Sequence, residues 1–261
     1  MDVYQITIAI VGSAIAGAIN TLAGNGSAIT LTILTEVLGL PGNIANGTNR
    51  IGIVAQSATS IFEFQRGGKF NLKRSWRYIL PTVIGAIAGA LVAIYVSNEA
   101  FRKVFGFMMV FMLFVILFKP KRWLRETDTT SKPSKWIVIP AFLAMGFYGG
   151  FIQMGMGIFF LAILVLGARF SLMESNAIKI LTVGMYTVFV ILLFEWKGLI
   201  DWKIGGIMAI GQAFGGWITA RYASRYPGAD KVAYWLLVVI VVWAAARILG
   251  VMDWLLAIGY W

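Results

Sequence analysis

"GLPGNIANGTNRIGIVAQSATSIFEF", residues 39–64, sets Asn46, Asn49, Arg50, Gln56, Ser57 and Glu63 inside a run that otherwise has the composition of a membrane span. On a helix starting near Asn43, positions 46, 49, 50, 56, 57, 60 and 63 fall on one face. Asn49, Gln56 and Glu63 are spaced by seven, and Arg50 and Ser57 share that interval. Such a stripe faces protein or water, not lipid. An Arg at the bilayer centre costs about 2.5–3.5 kcal/mol on insertion scales, so it needs a partner, a water-filled cavity or an escape to the interface.

The surroundings support a span. Of 261 residues, 59% are hydrophobic and 13% charged, and the mean hydropathy is +0.82, well beyond a soluble domain. Crossing a bilayer takes roughly 20 helical residues. Apolar runs of that order recur near 4–22, 44–63, 78–97, 103–118, 136–153, 174–194, 204–222 and 232–250, leaving no room for a soluble domain. They are continuous and rich in Leu, Ile, Ala and Gly, which favours an all-α polytopic bundle over a strand-built barrel.

The absence of cysteine rules out disulfides, thiol relays and iron–sulfur chemistry. The absence of histidine removes the commonest metal ligand and the usual neutral-pH proton carrier. No metal or cofactor is expected. The 22 basic against 11 acidic residues sit mostly in short connections, where they act as topology signals and not as a nucleic-acid footprint. The expected partners are the lipid bilayer and a small anion, and no nucleic acid; oligomeric state is not encoded legibly. The acidic start "MDVYQITIAI" lacks the positive charge of a cleavable signal, so the first apolar run is expected to be retained.

The chain also resembles itself weakly. "IGAIAGAL" (84–91) matches "IGQAFGGW" (210–217), and "RGGKFNLKRSW" (66–76) matches "WKGLIDWKIGG" (196–206). With small gaps, Arg50 then meets Lys179, and "GNGS" (24–27) meets "GMGI" (155–158). This predicts two transmembrane repeats, 1–118 and 136–261, the second with a C-terminal tail, joined by a cytoplasmic linker, 119–135, whose basic residues match those of the 65–77 loop. The glycines of "LAGNGSAIT" and "MGMGIFF" interrupt long apolar stretches, predicting a broken or re-entrant helix near the midplane in each half. With Arg221, Arg225 and Lys231 also inside, each half crosses an odd number of times and the repeats are inverted, with the site where the broken helices meet. The alternative is eight simple spans with parallel halves and both termini cytoplasmic, which strands the 221–231 charges on the wrong side.

In the second half Ser175, Lys179, Thr182 and Tyr186 follow i, i+4, i+7, i+11, so a cation again opens a polar stripe one turn into a helix. Helix starts near Ser27 and Asn43 expose unpaired N–H groups and a positive dipole end. Together with Arg50 and Lys179 these suit an anion, and Asn25, Ser27, Asn46, Thr48, Asn49, Gln56, Gln153 and Asn176 add polar groups for an oxyanion. Glu36, Glu63 and Glu195 are candidate proton carriers if transport is proton-coupled, with structural pairing as the alternative. Arg50 could instead pair with Glu36 or Glu63, and Lys179 has Glu174 nearby. The glycines of "IGAIAGAL" and "IGQAFGGW" are read as close helix packing. Trp196, Trp202, Trp254, Tyr260 and Trp261 are read as interfacial anchors, and Met154 and Met156 as packing or pore lining.

The glycine break followed by "GLPGNIANGTNRIGIVAQS", the "RGGKFNLKRSW" loop, and "GFYGGFIQMGMGIFF" with "ESNAIKIL" resemble the sulfite exporter TauE/SafE family, also called the toluene-sulfonate uptake permease family. The resemblance spans essentially the whole chain. It implies a bacterial or archaeal inner-membrane permease of about eight spans, moving sulfite, sulfoacetate or other organosulfonates, often outward. The glycine run usual in the first half is thinned here to "AGNGS", and the usual Gly-Pro-Gly-Thr-Gly break of the second is "QMGMG".

The expectation is therefore a secondary transporter of small sulfur-containing anions working by alternating access. An anion channel would share every residue named. An intramembrane enzyme would need clustered acids or a Ser/His or Asp pair, which the sequence lacks. A non-transporting scaffold would leave the buried polar stripes without a use.

Overall fold

The computed structural model describes residues 1–66, 72–117, 135–168, 170 and 172–222, with Trp235, Val239 and Val242 beyond them. The expected linker, apart from Lys135, lies outside these residues. So do most of the 221–231 loop, most of the last apolar run and the tail with Trp254, Tyr260 and Trp261.

All regular structure among the described residues is helical. Helix α1 (Val3–Ala23) starts on a capping box, Asp2 accepting from the Gln5 N–H at 2.7 Å and Gln5 Oε1 from the Asp2 N–H at 3.2 Å. It stops at Gly24, whose φ of 78° is the left-handed conformation that terminates helices. A short helix, α2 (Gly26–Thr32), runs straight into a π-helical turn, Ile33–Val37. This pair folds back along α1. Gly26 lies against Ala16 and Asn20, Ile33 against Gly12, and Gln5 Nε2 donates to the Val37 carbonyl at 3.5 Å. The break is thus a helical hairpin.

Helices α3 (Gly42–Arg66), α4 (Leu72–Ala93) and α5 (Asn98–Leu117) follow. Then α6 (Lys135–Phe151) ends before a second break, at Gln153 and Gly155, with φ of 62° and 71°. Helix α7 (Met156–Ala162) again continues into a π turn, Ile163–Gly167, and leans back on α6 with Phe142 and Phe160 edge to face at 5.2 Å. Helices α8 (Leu172–Trp196) and α9 (Trp202–Tyr222) complete the set. The two short helices have seven residues each, their π turns five, and α3 and α8 have 25.

Packing crosses between the halves. Helix α1 lies along α9, α4 along α6, α3 between α9 and α8, and α8 also against α4. Glycine makes these approaches close, as the sequence suggested. A Cβ on Gly85 or Gly89 would strike the α6 backbone at Leu143 and Phe147, and one on Gly146 or Gly150 would strike α4 at Thr82 and Ala86. Gly211 and Gly215 meet α1 at Ile10 and Ala14 in the same way.

The outer surface is apolar, with Leu80, Ile84, Phe107, Phe114, Leu192, Ile210 and Phe214 all more than half exposed. That inverts the soluble pattern and suits a lipid surround. By length and composition, Val3–Leu22, Ser75–Ala93 and Glu174–Trp196 are long and apolar enough to cross a membrane. Helix α3 does not reach that apolarity because its inner face is polar: Asn46, Thr48, Asn49, Arg50, Gln56, Ser57 and Ser60 are all buried.

Candidate functional site at the two helix breaks

The two breaks touch. The Gly157 N–H donates to the Gly24 carbonyl at 3.1 Å, and a Cβ on either glycine would run into the other's backbone. Around this contact lies a small cavity lined by Asn20 and Gly24 from the first break, Gln56 and Ser57 from α3, Gln153, Met156 and Gly157 from the second break, and Lys179, Ile180 and Val183 from α8. It is small, with room for about one water.

Arg50 is wholly buried beside this cavity and does not line it. Its Nη1 donates to the Gly149 carbonyl at 2.7 Å and to Gln153 Oε1 at 2.5 Å. Its Nη2 donates to the Gly150 carbonyl at 3.0 Å and to Asn46 Oδ1 at 3.1 Å. Asn46, one turn earlier, donates to the Phe151 carbonyl at 2.8 Å. The guanidinium therefore caps the C-terminal end of α6, where helix carbonyls lack partners and carry partial negative charge. All of these partners but Asn46 come from the other half of the chain, and Glu63 instead accepts from Trp217 Nε1 at 3.1 Å.

Lys179 treats α1 likewise. Its Nζ donates to the carbonyls of Asn20 at 3.2 Å and Thr21 at 3.5 Å, and to Asn176 Oδ1 at 2.8 Å. Unlike Arg50 it stands in the cavity wall, with every one of these partners a neutral oxygen.

Of the residues expected to bind, the cavity gathers Gln56, Gln153 and Lys179, with Asn46, Arg50 and Asn176 hydrogen-bonded immediately behind. Gln56 is already engaged, donating to Thr21 Oγ1 at 3.0 Å and accepting from Asn20 Nδ2 at 2.9 Å. Thr48 is employed elsewhere, accepting from the Asp201 N–H at 2.9 Å at the start of α9. Asn25, Ser27 and Asn49 are buried but do not line the cavity, and the amides of Asn25 and Asn49 have no hydrogen-bond partner among the described residues. Glu36 is half-buried in the first π turn, and Glu195 accepts from Trp202 Nε1 at 2.8 Å on the surface. Met156 lines the cavity and its sulfur accepts from Tyr186 at 3.8 Å, while Met154 is packed in the core.

The residue that sequence reasoning passed over is Asn20. It was legible only as a lone amide in an apolar run, four residues before a glycine break.

The sulfite exporter TauE/SafE family model matches residues 9–248, nearly the whole chain, including both breaks and both cations. The chain belongs to that family. Among curated relatives, a "probable membrane transporter protein ORF9" of a Sinorhizobium species is 29% identical over 249 residues, covering 95% of this chain and 93% of its own. The "probable membrane transporter protein YfcA" of Escherichia coli K12 is 28% identical over 81% of this chain and 76% of its own. A "probable membrane transporter protein" of Haemophilus influenzae is 27% identical over 79% and 80%. No solved structure matches. With its apolar helices and bacterial relatives, this TauE/SafE member is a membrane transporter, multi-pass in the inner membrane, and not an enzyme.

Proposed function

We propose that the protein is a secondary transporter of small sulfur-containing anions, such as sulfite, sulfoacetate or other organosulfonates, exporting them by alternating access at the cavity between the two helix breaks. One observation carries the reading: Lys179 brings a buried ammonium to the cavity wall with only neutral oxygens for hydrogen-bond partners among the described residues. A buried cation without a counterion favours an anion beside it. Ser57 and the Gln153 amide add polar groups on the same wall, and the family name supplies the sulfur chemistry.

The cavity's small size supports a carrier caught closed, because an oxyanion needs more room than one water and must be admitted by movement. The matching order and lengths of α1 to α4 and α6 to α9 support two repeated halves, 1–118 and 136–261. On this reading the first hairpin returns to its own side and α3, α4 and α5 each cross, an odd number that would set the second repeat inverted relative to the first. An inside-negative potential favours anion exit by about 2.3 kcal/mol per charge per 100 mV, so export runs without a coupled ion.

The test is sulfite and sulfoacetate flux in proteoliposomes, wild type against Lys179→Gln, with the potential clamped at zero and then inside-negative. Saturable flux that rises with potential and falls in the variant supports the proposal. Flux of neither anion refutes the substrate class, and flux that fails to saturate makes the protein a channel.

A further inference from the structure

Gln153 is the one non-glycine residue with a left-handed backbone among those described, and it holds that conformation at the second break, buried, with its side chain on the cavity. Its Oε1 lies 2.5 Å from Arg50 Nη1. A guanidinium has donors and no acceptor, so the amide oxygen must face Arg50 and the amide nitrogen must face the other way. Arg50 cannot swing aside to release it, since the carbonyls of Gly149 and Gly150 and the amide oxygen of Asn46 hold the same two nitrogens. Asn46 repeats the logic: its oxygen is turned to the guanidinium and its nitrogen donates to Phe151.

We infer that Arg50 is a positioning residue, which fixes the polarity of the Gln153 amide so that its Nε2 donates to an anion in the cavity next to Lys179. The inference rests on the anion-transport reading and deepens it. The two basic residues then have separate tasks. The ammonium of Lys179 supplies charge, and the Gln153 N–H supplies a directed hydrogen bond. The five-donor plane of Arg50 supplies the orientation and never touches the substrate. A free glutamine could turn its oxygen to the cavity and repel the anion at little cost, whereas one locked on Arg50 cannot.

Gln153→Glu separates this from a direct or merely structural role. The carboxylate keeps, and charges, the bond to Arg50 but puts a second oxygen where the donor stood. Thermal unfolding in detergent should give a midpoint at or above wild type for Gln153→Glu and below it for Gln153→Met. A Glu variant as destabilised as the Met variant overturns the lock, whether or not any anion is transported. In proteoliposomes whose wild-type sulfite flux saturates, Gln153→Glu should raise KM by at least about tenfold, the factor expected from losing a hydrogen bond to a charged group. Arg50→Lys should raise KM too, and Gln153→Ala added to Arg50→Lys should change it little further. Unchanged KM in Gln153→Glu, or additive effects of the two substitutions, overturns the assignment. Absence of wild-type flux fails the transport reading alone, because the unfolding comparison still decides the lock.

Discussion

Lys179 reaches from α8 to the last carbonyls of α1, and Arg50 reaches from α3 to the last carbonyls of α6. Each broken helix is therefore finished by a cation from the other half of the chain, assisted by an asparagine three or four residues before that cation. The arrangement answers the cost of a buried positive charge with helix-end dipoles in place of a carboxylate. It also ties the halves together where the backbone is least regular.

Arg50→Ala should destabilise the protein markedly. It removes four hydrogen bonds from a fully buried group and strands the Gly149 and Gly150 carbonyls. Unpaired buried groups cost about 1–3 kcal/mol each, so the unfolding midpoint in detergent should fall by many degrees. Arg50→Lys should recover part of it, since one ammonium reaches fewer of these acceptors than a planar fork. An Ala variant as stable as wild type would show that the cap is dispensable.

Lys179→Gln keeps a donor near the Asn20 carbonyl but removes the charge. Saturable anion flux should drop by at least about tenfold, as expected for a charge-assisted bond, while extraction and elution profile stay normal. Full activity would take the ammonium out of the binding site.

Gly157→Ala places a methyl against the Gly24 backbone and should lose both flux and stability, overpacking costing about 1–3 kcal/mol. Gly206→Ala, inside α9 with open space around it, should be neutral or stabilise by up to about 1 kcal/mol. Equal behaviour of the two variants in flux and unfolding assays would contradict the close contact.

Glu63→Gln and Glu195→Gln retain an oxygen to accept from Trp217 and Trp202. If these acids only hold indoles, potential-driven flux in both variants should stay within about twofold of wild type, with hydrogen-bond geometry preserved. Loss of a flux component driven by a proton gradient in either variant would make that acid a carrier.

Much of this was legible in the chain. The seven-residue spacing of Asn49, Gln56 and Glu63 marked a face that is buried polar for all but Glu63, which is half-buried. The glycines of 84–91 and 210–217 marked where helices meet. Both breaks fell at the glycines that named them, because left-handed backbone has a compositional signature. The partners of the cations had none. Arg50 could be assigned to an anion or to Glu63 from sequence, but helix-end carbonyls 99 and 100 positions away belong to every residue type and leave no mark. For the same reason Thr48 looked like a ligand group, although its hydroxyl serves the start of α9.

The meeting of Gly24 and Gly157 is a bearing made of bare peptide. Where the two hairpin tips meet, backbone touches backbone with no side chain between Gly24 and Gly157. The tips themselves are joined by the hydrogen bond from the Gly157 N–H to the Gly24 carbonyl, worth about 1 kcal/mol net, whereas Arg50 and Lys179 bind each broken helix end to the other half through several. If the proposed alternation of access takes place, the resistance to it therefore lies in the cation-capped helix ends and not in the glycine contact.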